Sequence, residues 1–347
     1  MHMTCRPRDG VAEARQLAER GRSAARGGTP VEALGWFDRA LALLAVEPAD
    51  DMLADVLRWK GTAHRECGDT RAADRLYEES GAVAERSGYL AGAAHAANCR
   101  GIVAQRRGDL DDAERLYACA SALAAQAGDA PLRVMVERNL GIVESIRGNW
   151  DGAVGRFEES RRHAEVVGDT DGIARALNNI AVVLAKQSRF EEAEAMYART
   201  LALVRACGDA VSECVCELNL AELFIESRRL DDAERACAVG LEIADRRGDR
   251  LRRAEGLRLL ATIARLRGDT GGCEALLDEA LDLADTGEDR CLYAEVLRER
   301  EQLLRARGDL ASARQCLHAA RNGFVAADAR PEIRGVNRQL ADLRMAV

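Results

Sequence analysis

The sequence is poor in aromatic residues and in proline, with five Tyr, five Phe, three Trp and five Pro among 347 residues. Strands draw on aromatic and β-branched side chains and on frequent turns, so these shortages exclude a β-sandwich or barrel. Long apolar runs are also missing. The longest, Ala40 to Val46, falls far short of the ~20 residues that cross a bilayer. No basic-then-apolar segment opens the chain, so no signal peptide is expected. The eleven cysteines form no Cys-x-x-Cys pair, and Cys214 and Cys216 stand too close for a zinc knuckle. The chain reads as reduced, cytoplasmic and free of structural metal. Lysine occurs only at Lys60 and Lys186, so nearly all positive charge is arginine, whose planar fork suits carboxylates. There is no His-Glu-x-x-His, no glycine-rich phosphate loop and no nucleophile set beside a base, so neither an enzyme nor a cofactor is expected.

What is present is 48% hydrophobic and 31% charged residues, dominated by the helix formers Ala, Leu, Arg and Glu. The expectation is an all-α chain. Its net charge of −8 disfavours a nucleic-acid binder.

A fixed step of 40 residues organises the whole sequence, through Gly28, Gly68, Gly108, Gly148, Ser188, Arg228, Gly268 and Gly308. Five residues after each mark comes a small residue: Ala33, Ala73, Ala113, Ala153, Ala193, Ala233, Cys273 and Ala313. Nine after comes a larger one: Phe37, Tyr77, Tyr117, Phe157 and Tyr197, then Cys237, Leu277 and Leu317. Seven before each mark runs a second small series: Gly21, Gly61, Gly101, Gly141, Ala181, Ala221, Ala261 and finally Glu301. A second Gly-Asp divides each unit at Gly128, Gly168, Gly208 and Gly248, weakening to Glu288-Asp289. Each unit therefore reads as two helices and two turns, with Gly ending one helix and Asp or Asn opening the next. In the first helices, stripes such as Val136, Leu140 and Val143 fall on one face. Val336, Leu340 and Leu343 continue the phase into a solvating end helix.

This pattern resembles the tetratricopeptide repeat (TPR) family. The residues that carry it are Asn139-Leu140-Gly141, Gly148-Asn149, Ala153, Phe157 and Ser160, repeated over about residues 14–345. The 40-residue period is similar to the long-repeat branch of spindle-orientation scaffolds, kinesin light chains and bacterial regulators. The Trp usual early in the first helix is replaced by Leu57, Leu177 and Leu257, and by Glu137 and Glu217. The resemblance implies a right-handed superhelical solenoid of eight helix-turn-helix repeats over 14–330. A tail at 1–13 that is disordered or poorly ordered and a capping helix at 331–347 complete the expected layout. First helices would line the concave groove, where relatives grip an extended segment of a partner.

By that analogy the groove holds Arg58, Asn98, Arg138, Asn178, Arg258 and Arg298 at one first-helix position. Asn139, Asn179 and Asn219 stand at the next, with Arg175 nearby. An Asn amide can pair with any peptide group, and Arg offers a bidentate fork for Asp, Glu or a terminal carboxylate. In relatives the matching Asn residues hold target backbones, which the resemblance carries onto Asn139, Asn179 and Asn219. The alternative is that they simply solvate a helix face or bond across to neighbouring first helices. Trp59 occupies the Asn position of its repeat and is a candidate anchor or a core residue. The histidines stand singly, and Cys237 and Cys273 read as packing thiols. The expected function is a non-enzymatic scaffold or regulatory adaptor binding an acidic protein segment. The alternatives are a receptor for a short signal peptide or an RNA binder using the arginines. The repeats leave no stretch for a helix-turn-helix or kinase domain, so output is expected through a partner.

Overall fold

A computed structural model describes residues 10–46, 48–285, 290–327 and 329–345. Seventeen α-helices and no strand occur among them. In order they are α1 (Gly10–Arg26), α2 (Pro30–Leu44), α3 (Asp50–Glu66), α4 (Thr70–Ser87), α5 (Leu90–Arg106) and α6 (Leu110–Ala127). Next come α7 (Ala130–Ile146), α8 (Trp150–Val167), α9 (Thr170–Lys186), α10 (Phe190–Cys207), α11 (Ala210–Glu226) and α12 (Leu230–Arg247). The series ends with α13 (Arg250–Arg267), α14 (Thr270–Asp285), α15 (Arg290–Ala306), α16 (Leu310–Ala326) and α17 (Arg330–Met345). Odd-numbered helices up to α15 are first helices, even-numbered ones second helices, and α17 is the single end helix. Helix α1 opens at Gly10, earlier than the boundary at 14 read from the repeat. The turn at Glu288-Asp289 lies outside the described residues.

The chain divides into two compact units. One holds the residues up to Gln105 together with Asp109–Val143, the other Arg106–Gly108 together with the residues from Glu144 onward. The uniform repeat phase had suggested one uninterrupted array. Each unit is a helical-repeat solenoid.

The turns follow from their residues. At Gly68 the backbone is left-handed (φ 82°), and the N–H groups of Gly68 and Asp69 donate to Arg65 O and His64 O, tying off the last carbonyls of α3. The Asp69 side chain then accepts from Ala72 N at 2.9 Å and starts α4. Asp129, Asp169, Asp209, Asp249, Asp269 and Asp309 cap their helices the same way, as does Asn149. Asp109, expected to do so, makes no side-chain cap bond. Ser188 (φ 60°) and Arg228 (φ 62°) keep the left-handed turn without glycine.

Packing within repeats depends on the small-and-large match. A Cβ added to Gly21, Gly61 or Gly101 would stand 2.6, 2.8 or 2.5 Å from the ring of Phe37, Tyr77 or Tyr117. Glycine there lets an aromatic ring lie flat on the first helix, which outweighs its ~0.5–1 kcal/mol cost in a helix interior. In the second unit Ala181, Ala221 and Ala261 fill this place, all fully buried, and smaller groups such as Cys237 and Leu277 stand opposite the later ones.

Candidate functional site

The candidate site is the face of the first helices, described separately in each unit. In the first unit, α5 and α7 are joined by an amide pair. Asn139 Nδ2 donates to Asn98 Oδ1 at 2.9 Å, and the two residues are only 7% and 5% exposed. The second unit repeats the device between α9 and α11, where Asn219 Nδ2 donates to Asn178 Oδ1 at 3.1 Å and both residues are half-buried. The pairs follow one rule. A side chain at one first-helix position meets the side chain 41 residues later, one step on in the next first helix. Where that pair is Leu218 and Leu259, both sit in one apolar cluster instead.

Asn139 and Asn219 are therefore bonded across to neighbouring first helices. Each amide pair still has a donor on one side and an acceptor on the other left over. Asn179 is half-buried and its side chain makes no hydrogen bond among the described residues, so its whole amide is available.

The arginines are not equivalent. Arg175 is exposed and held by Asp171 of its own helix at 2.8 Å. Arg258 lies 4.0 Å from Glu295, and Arg298 is half-buried. The Nε of each is sealed from water without a hydrogen bond. Elsewhere on the first helices of the second unit Lys186 pairs with Glu226 (2.8 Å) and Arg265 with Glu299 (2.7 Å). Arg138 is half-buried on α7.

The first unit differs. Arg58 is paired to Asp55 at 2.7 Å and stacks on Trp59, with 5.5 Å from guanidinium carbon to ring centre. Arg22 of α1 covers the same ring at 4.7 Å. Trp59 is thus a half-buried residue of the first-helix face, held by cation–π contacts. His95 of α5 is hydrogen-bonded to Asp129 at 3.0 Å, a pairing 34 residues apart that no local motif reveals. Burial pushes the His95 imidazole below its ordinary range, with Arg58 adding to the effect and Asp129 opposing it.

The remaining candidates are structural. Cys237 and Cys273 are fully buried, and burial pushes their thiols up to about 12 and about 11. Cys214 and Cys216 are also buried, with thiols at about 11 and about 12, and donate to the carbonyls of Gly240 and Tyr197. Such thiols are poor nucleophiles. Trp36 is half-buried between Arg20 and Arg39 and donates to Glu32. Among the described residues no group of three or more His, Cys, Asp or Glu could hold a metal ion. No helix there is long and apolar enough to cross a membrane.

The family model of the MalT-like TPR region matches residues 118–346. The chain belongs to this TPR family. Comparison with curated proteins gives no match. Among solved structures the TPR chain is similar to a Rap protein complexed with competence and sporulation factor. That likeness has TM-score 0.63 and 13% identity, over 97% of this chain and 98% of the other. It is also similar to the Rap conjugation gene regulator of plasmid pLS20 in complex with the Phr* peptide, with TM-score 0.60 and 18% identity, over 80% and 75%. A third is the quorum sensor NprR from B. thuringiensis, with TM-score 0.55 and 11% identity, over 97% and 100%. At these identities the likeness is one of fold.

Proposed function

We propose that this TPR protein is a non-enzymatic regulatory adaptor that binds an extended peptide segment of a partner along the first-helix face. The observation that carries the reading is the spacing of amides on that face. Asn178, Asn179 and Asn219 offer donors and acceptors on adjacent first helices, and hydrogen bonds from Asn serve a peptide backbone whatever its side chains. The solved relative with Phr* bound supports a peptide as the ligand class. The central amide of the site is Asn179, with Asn178 and Asn219 presenting what their mutual bond leaves over. Asn139 and Asn98, nearly sealed, serve mainly to register α7 on α5.

Selection from a displayed random dodecapeptide library tests this. Enriched peptides should bind the wild-type chain. The variant Asn179→Ala should weaken them about fivefold to tenfold, as expected for one or two neutral hydrogen bonds, with helicity unchanged. Peptides that bind Asn179→Ala and Asn178→Ala as tightly as the wild type would overturn the reading.

A further inference from the structure

In the second unit, the turn between the two helices of a repeat sends an arginine back to the second helix of the preceding repeat. Arg267, one residue before Gly268, donates from Nη1 to Glu234 at 2.8 Å and from Nη2 to Asp231 at 2.5 Å, so one fork serves two carboxylates of α12. Arg307 stands one period later and donates to Glu274 at 3.0 Å and to the carbonyl of Thr270 at 2.8 Å. One period before Arg267 the residue is Ser227. Its hydroxyl stays within its own turn, donating to Leu223 O at 3.0 Å. The two acids that correspond to Asp231 and Glu234 are nevertheless kept, as Glu191 and Glu194 of α10. Where serine replaces the arginine, the surface opens into a cleft of about 340 Å³, lined by both acids, by Ser227 and by the apolar groups of Phe190 and Leu223. Its other charged groups are Glu226, Arg228 and Arg229. Glu226 accepts from Lys186 at 2.8 Å, and Arg229 is held by Glu194 at 2.5 Å and by Asp232 at 2.6 Å. The exposed side chains of Glu191 and Arg228 have no hydrogen bond or ion pair among the described residues.

We infer that this cleft takes an arginine side chain presented by a partner protein, in the place that corresponds to Arg267 one repeat later. The guanidinium meets Glu191 and Glu194, and the methylene stem lies on Phe190 and Leu223. Arginine is commonly accommodated in this way, with its stem on apolar surface and its fork on carboxylates. The next repeat shows what two acids at these positions hold, which is why the occupant is a guanidinium rather than any other group. The cleft is built by α10, the end of α11 and the turn that follows it. It is a second contact surface, apart from the amides of the first-helix face, and does not depend on the peptide-binding reading above.

The test uses fluorescence anisotropy of the full chain with two labelled, amidated heptapeptides. One is Gly-Ser-Leu-Arg-Leu-Ser-Gly, and the other carries citrulline for arginine, which keeps the shape and removes the charge. The wild-type chain should bind the arginine peptide about fivefold or more tighter, and added salt should shrink the difference. Ser227→Arg supplies the side chain from within, and should remove the preference and raise the melting temperature. Glu191→Gln should weaken the arginine peptide toward the level of the citrulline peptide. Because the Glu191 side chain has no internal partner, this variant should keep its helicity and melting temperature. Arg228→Ala takes an unpaired positive charge out of the lining and should tighten the arginine peptide. Asn179→Ala should leave its affinity unchanged. Equal wild-type binding of the two peptides, or an arginine preference that survives both Ser227→Arg and Glu191→Gln, overturns the inference. Weakening by Arg228→Ala also overturns it, by marking the cleft as an anion site. So does weakening by Asn179→Ala, which places the probe on the first-helix face. If N-acetylarginine methylamide competes as strongly as the heptapeptide, the cleft takes a small guanidinium compound and the assignment to a partner protein is wrong.

Discussion

Glu301 shows what a single residue can change in this fold. It stands where every other repeat has Gly or Ala, is 2% exposed, and has a carboxylate oxygen sealed from water without a partner. Burial pushes its carboxyl above the usual range, against the pull of Arg305 and Arg298 and with the help of Glu299. The folded chain thus holds this proton more tightly than the unfolded chain. Stability from the group is fully present below the unfolded carboxylate pKa of about 4.3 and is lost as pH rises through the raised folded value. Glu301→Gln keeps the shape and removes the titration. Its melting temperature should be near or below that of the wild type at pH 4 and above it at pH 8. A difference that does not change with pH would refute the assignment. The odd residue in the small series was visible in the sequence. That its carboxylate would be sealed off was not, because burial depends on the partner helix and the neighbouring repeat together.

At the scale of elements, two features set the geometry of each repeat and can be perturbed separately. Gly61→Leu drives a side chain into Tyr77, whose ring is already 2.8 Å from where a Cβ would stand, and should cost about 1–3 kcal/mol. Arg228→Gly takes the Cβ away from a left-handed backbone position. It should stabilise by up to about 1 kcal/mol, part of the gain being offset by the freer unfolded chain. Denaturant unfolding of both variants checks the pair, and shifts of the same sign would contradict the roles assigned to slot and turn. These elements were the most legible part of the sequence, since turns, caps and packing slots depend on residues within one period. The exceptions are local too. Asp109 forgoes its cap bond, and Ser188 and Arg228 hold glycine's conformation because the same i-to-i−5 bonds, Arg189 N to Leu184 O and Arg229 N to Phe224 O, close those turns.

For the whole molecule, the sequence reading of a ladder of groove residues needed revision by pairing. Asn139 and Asn219 looked like free amides and are each bonded to an Asn 41 residues earlier. Arg175 looked like a ligand-binding fork and is held by Asp171. His95 looked solitary and is set by Asp129. Residue type and phase identify which side chains share a face, but their partners come from adjacent repeats, a period away in sequence. The division into two units was likewise invisible in a phase that never breaks. What survives pairing is a smaller set in the second unit, Asn179 together with the donor of Asn178 and the acceptor of Asn219 that their mutual bond leaves over. The account stands on the claim that the ligand lies on first helices. Hydrogen–deuterium exchange of the full chain, with and without a library-selected dodecapeptide, measures this most directly. Protection should concentrate on α9 and α11 around Asn178, Asn179 and Asn219, with α10 and α12 unchanged. Protection confined to α10 and α12, or to the turns that join them, would contradict it.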